Sequence, residues 1–241
     1  MLSGRGYSAG LGKLRIPIGK LTAQISIMFF VFTILLFSAA GTFHWVTGWI
    51  FLILFFCGVI AISIWLFKKN PELLYERMTG LSKSDRKAWD KSLMRYIGFL
   101  FILWLCVMPL DAIRYHWSHI SLLGHVLGMV LILCSYYLFY ITFQENTFLS
   151  PAARIQAERG QRVVATGPYS IIRHPMYAGF LVFVIGTTFL LGSWIGLFVG
   201  LLMNCLVAKR AVQEEEMLCV ELDGYTEYTT KVKYRLIPYL W

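Results

Sequence analysis

The chain has 241 residues, of which 58% are apolar and only 15% charged, with a formal net charge of +9. Soluble domains run near a quarter charged, so this composition excludes an ordinary soluble domain. The positive charge lies between long apolar blocks, so it reads as membrane topology and attraction to anionic lipid, not nucleic-acid binding.

Six uncharged or nearly uncharged stretches carry the apolar excess: residues 21–43, 45–67, 93–112, 122–143, 176–191 and 194–208. The first four are long enough to cross about 30 Å of hydrocarbon. The last two are shorter and separated only by Gly192 and Ser193. The expected fold is therefore all-α: a polytopic membrane protein with about six crossings, the last two a short hairpin, and a cytoplasmic C-terminal helix. Residues 1–20 form a basic tail and residues 21–241 a single membrane domain.

Six crossings put 21 of the 22 basic residues on one side, leaving Arg114 alone on the other. That asymmetry predicts both termini in the cytoplasm. Ser38-Ala39-Ala40 has the small residues of a signal-peptidase site. The apolar run continues past it to Phe43 and the basic region is long, which favours retention of the segment. The five cysteines are scattered without metal spacing or an even count, and read as small apolar fillers.

In chain order, Trp45 and Trp49 are expected at the outer headgroup level beside an interfacial His44. Asn70-Pro71-Glu72 looks like a helix start; the stretch reads first as a basic connecting loop, with Leu73, Leu74, Met78 and Leu81 lying on the membrane surface as the alternative. Asp111 and Arg114 stand at helical spacing and are expected to pair. His116 and His119 lack further ligands nearby, so no metal is expected. Tyr136, Tyr137 and Tyr140 read as belt aromatics, with Tyr140 or Gln144 facing a polar cavity as the alternative. Ser150-Pro151 opens a polar stretch in which Arg154, Glu158 and Arg162 repeat at i, i+4, predicting a helix.

Two stretches carry chemistry. Pro175 suits the first turn of a helix, so Arg173 and His174 flank a helix N-terminus whose free N–H groups and dipole favour an anion. Tyr177 falls one turn further on the same face, and Gly179 keeps the helix thin. The second stretch, residues 209–216, continues the last apolar block, with Arg210 and Glu214 at i, i+4 and Glu215 adjacent. The tight hairpin returns this stretch to the side where Arg173 and His174 begin. Carboxylates opposite a cationic helix start suit a zwitterionic ligand.

Gly167-Pro168-Tyr169, Arg173-His174-Pro175-Met176-Tyr177-Ala178-Gly179, Arg210-(three residues)-Glu214-Glu215 and then Tyr225 and Tyr228 resemble the isoprenylcysteine carboxyl methyltransferase family over roughly residues 140–241. The resemblance implies an S-adenosylmethionine-dependent methyltransferase acting on a lipophilic or lipid-linked carboxylate, thiol or amine that arrives from the bilayer. It places the cofactor among Gly167, Tyr169, His174, Pro175, Tyr177, Gly179, Arg210, Glu214 and Glu215, with His174, Tyr177 and Arg173 at the reacting atoms and no metal. A sulfonium is a cation that aromatic faces stabilise. Two other readings stay open: an NADPH-dependent membrane reductase of sterol-reductase-like architecture, and a non-catalytic lipid-binding or transport protein.

Overall fold

A computed structural model describes residues 16–241; Arg5, Lys13 and Arg15 of the expected basic tail lie outside them. Eight α-helices follow in order among the described residues: α1 Ile18–Ala40, α2 Val46–Lys69, α3 Pro71–Thr79, α4 Ala88–Pro109, α5 Leu122–Glu145, α6 Pro175–Leu191, α7 Trp194–Glu221 and α8 Tyr225–Lys231. α1, α2, α4 with the turn after it, α5 and α7 are long and apolar enough to cross a membrane. α6, at 17 residues, rises about 26 Å. α7 carries on past the apolar block 194–208, as the reading of residues 209–216 expected. It runs 28 residues unbroken, because the charged run beyond Ala208 stays helical and finds partners. The chain is an integral, multi-pass membrane protein.

Successive long helices alternate in direction, so α3, the 146–174 connection, the end of α7 and α8 gather at one end of the bundle, here the polar end. Boundary chemistry is local. Asn70 caps α3 by accepting from Leu73 N at 3.0 Å. Gly192 takes a left-handed φ of 85°, and Ser193 then caps α7 by accepting from Gly196 N at 2.7 Å. Between α5 and α6 the backbones touch: a Cβ on Gly128 would stand 2.3 Å from Leu190 N and 2.6 Å from the Gly186 carbonyl oxygen. Lipid-immersed helices gain little from hydrophobic burial against one another, so such close approach is what holds them. α4 and α7 pack likewise, with Met108 over Gly196 and Trp104 over Gly200.

Several expectations need correction. Asp111 does not pair with Arg114. It is buried at the far end, accepting from Ser118 Oγ at 2.7 Å, Ser193 Oγ at 2.6 Å and Ile195 N at 3.2 Å. A carboxylate at the N-terminus of α7 complements that helix's positive end, while Arg114 reaches the carbonyls of Ser38 and Ala39. Trp45 is 3% exposed and packs edge-on against Phe37, instead of sitting at the headgroup level. Leu73 and Leu74 turn inward against Leu66 and Phe143. Tyr136, not Tyr140 or Gln144, faces the interior cavity. Cys57, Cys134, Cys205 and Cys219 are exposed and fill no core. Residues 150–162 hold only a 3-10 turn at Ala157–Arg159. Arg154 and Glu158 do meet, at 2.6 Å, but across an irregular loop that buries Arg154.

Gly128→Val should therefore cost about 3 kcal/mol or more by overpacking, seen as a lower melting temperature in detergent. Gly98→Ala, whose added methyl would meet nothing within 4 Å, should melt like the parent.

Candidate active site

The first turn of α6, the polar end of α7 and the strand-like tail after α8 meet on one carboxylate. Glu215 accepts from Arg173 Nε at 2.6 Å and Nη2 at 3.1 Å, and from Arg235 Nε at 2.8 Å. His174 Nε2 lies 3.1 Å from the same group. A carboxylate only accepts, so Nε2 carries the hydrogen in this contact and Nδ1 is left with the lone pair. Arg173 also donates Nη1 to the carbonyls of Val232 and Lys233, at 2.7 and 3.2 Å. The tail is held by a bridge between Ile172 and Tyr234, with Arg173 N and His174 N each donating to it at 2.9 Å.

Beside this node sits a second set. The Tyr177 hydroxyl donates to Glu214, and the His174 and Tyr177 rings stack at 5.3 Å and 10°. The Arg210 guanidinium lies 5.5 Å above the Tyr177 ring, a cation–π contact. It donates Nε to Asp90 at 2.8 Å and Nη2 to the Pro151 carbonyl at 2.9 Å. Asp90 is fully buried at the start of α4 and also accepts from Arg86 Nε at 2.6 Å. Tyr169 is fixed through its hydroxyl, which accepts from Asn146 at 2.9 Å, and through its carbonyl, which accepts from the Tyr228 hydroxyl at 2.7 Å. Burial holds the Tyr169, Tyr225 and Tyr228 phenols well above their ordinary values, so they remain donors at neutral pH.

These groups open onto a cavity of about 790 Å³. Its polar part is lined by Tyr169, Arg173, His174, Tyr177, Arg210 and Glu214, and its apolar part by α1, α2, α4, α5 and α6. The hairpin thus brings the two predicted stretches together, but with divided labour. Glu215 lies behind the wall with its oxygens taken by protein donors. Glu214 has one oxygen with no donor among the described residues. Gly167, Pro175 and Gly179 do not line the cavity. Gly167, at φ 56°, turns the chain over Glu145, and Gly179 lets α5 approach through Phe139. No group of three or more potential metal ligands exists among the described residues.

Sequence reasoning missed Asp90, Arg77 and Arg154. The loop over the polar end is pinned by Arg154, which bonds Glu76 at 3.0 Å, Asp85 at 2.7 Å and Glu158 at 2.6 Å. Arg77 faces the cavity 4.8 Å above the Phe143 ring, with no carboxylate in salt-bridge range among the described residues. Burial, with the charge of Arg210 nearby, lowers its pKa to about 10, which leaves it cationic at neutral pH. A lone arginine or aspartate at the rim of an apolar block was the available signal; its partner, dozens of residues away, was not.

An all-helical membrane protein with a polar, charged pocket at one end and an apolar extension between its helices is the class that fold and site define. Residues 126–220 match the sequence profile of the Isoprenylcysteine carboxyl methyltransferase (ICMT) family, a stretch that takes in most of α5, all of α6 and α7 to Val220. The tail that completes the Glu215 node lies outside the match. The Protein-S-isoprenylcysteine O-methyltransferase of Schizosaccharomyces pombe is 35% identical over 72 residues, 29% of this chain and 30% of that protein. The Delta(14)-sterol reductase TM7SF2 of Mus musculus is 27% identical over 133 residues, 48% of this chain and 32% of that protein. The matches thus span about a third of the length of these curated relatives.

Two outcomes test the site's construction. Glu215→Ala leaves Arg173 and Arg235 without their shared carboxylate and should destabilise by about 3–5 kcal/mol, read as a drop in melting temperature. The loop carries a pH signature. Burial pushes Glu76 up, but bonds from Arg154, Lys83 and Ser150 more than offset it, and Arg154 draws Glu158 from 4.5 to about 2. Both acids bind protons less readily folded than unfolded, so their stabilisation is present above pH 4.5 and lost on acidification, for Glu158 as pH falls toward 2 and for Glu76 as pH falls through its lowered pKa. In Arg154→Met the melting temperature should fall less steeply through that acid range than in the parent.

Proposed function

We propose that this protein is an integral-membrane, S-adenosylmethionine-dependent methyltransferase whose acceptor is a lipophilic or lipid-linked carboxylate, thiol or amine. The carrying observation is the cavity that joins a charged, aromatic end to an apolar arm within the membrane helices. The family match over α5 to α7 and the methyltransferase relative support the same reading. The excess of basic residues on one side supports a cytoplasmic polar end, with both termini there.

The residues present fit the cofactor. Glu214 offers a carboxylate oxygen for an ammonium, and Arg210 and Arg77 offer cationic groups for a carboxylate on the same cavity wall. The faces of Tyr169, Tyr225 and Tyr228 suit an adenine ring and a sulfonium. When bound, the cofactor supplies an electrophilic methyl group on sulfur. The chain's own work is then orientation and exclusion of water, because in-line transfer depends on close approach. Glu215 is a positioning residue: it fixes Arg173 and the His174 ring without reaching the cavity. His174, held through Nε2, presents Nδ1 as the base for an acceptor that must lose a proton. A carboxylate acceptor would need none.

The partial match to a sterol reductase favours a second reading, a nicotinamide-dependent membrane reductase. Radiolabelled S-adenosylmethionine should bind the purified protein, and Glu214→Ala, His174→Ala and Glu215→Ala should each weaken binding at least about tenfold. Parent-like binding in all three variants sinks the site assignment. Thermal stabilisation by NADPH, with none by S-adenosylmethionine, would replace the methyltransferase reading with the reductase.

A further inference from the structure

The apolar arm has a floor. Four helices leave the polar end and line the arm over eight residues each, Leu21 to Met28 on α1, Met94 to Phe101 on α4, Phe143 to Tyr136 on α5 and Met176 to Phe183 on α6, and α2 lines it over twelve, Leu66 to Phe55. Seven steps rise about 10 Å and the eleven steps of α2 about 16 Å, so the arm ends between a third and a half of the way through a bilayer's hydrocarbon core. At that depth Phe55, Phe101, Tyr136 and Phe183 converge. Phe55 and Phe183 are 5.9 Å apart, and Tyr136 and Phe183 6.2 Å. Phe32, outside the cavity lining, braces the ring from behind, 5.0 Å from Phe55 and 5.8 Å from Phe101. Beyond it Leu36, Trp104 and Met108 are fully buried, so the arm continues no further.

We propose that the aromatic ring of Phe55, Phe101, Tyr136 and Phe183 sets the length of the lipophilic chain this protein accepts. This rests on the reading of the cavity as an acceptor site. The chain class is a short, single one, with its head at the Arg77 and Arg210 level and its end against the phenylalanines. Each ring stands on a different helix, so no single backbone shift lowers the floor. Removing one ring deepens the arm by the depth of that side chain and leaves the polar end untouched.

The test uses the full chain in detergent without S-adenosylmethionine. Saturated fatty acids from hexanoate to hexadecanoate serve as probes, because Arg77 has no carboxylate partner among the described residues. Thermal stabilisation is measured in parent, Phe183→Ala and Phe55→Leu proteins; micelle partition is common to all three and cancels between them at each length. The parent should be stabilised most by a medium chain and little by hexadecanoate. The variants should move the optimum to longer chains by about two to four methylenes. Phe55→Leu, which removes less volume, keeps the test informative if Phe183→Ala does not fold. An optimum unmoved in a folded variant, or equal stabilisation of the parent by octanoate and hexadecanoate, overturns the proposal. A shifted optimum with no S-adenosylmethionine binding would keep the floor and remove the cofactor reading, so the two failures are distinguishable.

Discussion

The polar end depends on one constraint: a carboxylate buried at a membrane boundary must be surrounded by donors or it does not stay buried. Glu215 meets it with two arginines and a histidine, contributed by the start of α6 and by the tail beyond α8. The rule recurs. Asp90 takes Arg210 and Arg86, and Glu76 takes Arg154 and Lys83. Three acid–arginine joints thus tie α6 to α7, α7 to α4, and the 146–164 loop to α3. None of these joints spans a repeated local motif; each closes a long stretch of chain. Together they make a collar of fixed charge around the mouth of the cavity.

The collar decides what remains for a ligand. With Glu215 and Asp90 committed to arginines, the electrostatics of the cavity wall belong to Glu214, Arg77, Arg162, the remaining donors of Arg210, His174 and a set of neutral phenols. Polarity then falls away along the bundle axis. Tyr177 and Met176 mark the change on α6, and by Phe183 the surroundings are hydrocarbon apart from the Tyr136 hydroxyl. A molecule with one charged and one apolar end has only one orientation that satisfies both.

The helices were legible because length and apolarity are local properties of a sequence. The meeting of Arg173 and His174 with Glu215 was legible too, since a two-residue turn at Gly192-Ser193 leaves the hairpin little choice of register. What escaped was every other pairing between distant segments. The i, i+4 spacing of Arg154 and Glu158 looked like a helix, yet the same spacing serves a loop whose arginine is drawn inward by Glu76. Asp111 had Arg114 at helical distance, but the N-terminus of α7, 84 residues on at Ile195 N, offered a backbone donor and a helix dipole in a buried place. Trp45 resembled a belt residue because indole preference says nothing about which way a short turn faces.

The contact at Gly128 and Gly186 has a consequence for how the protein accommodates different guests. Where two helices meet backbone to backbone, little side-chain rearrangement can change their separation, so that half of the enclosure behaves as an anvil. Compliance is left to the opposite half, where α1 and α2 border the cavity through flexible Met28, Leu21 and Ile62 side chains. That half lies wholly outside residues 126–220. The compliant wall and the rigid wall are therefore written on separate lengths of chain, and one can drift while the other is kept.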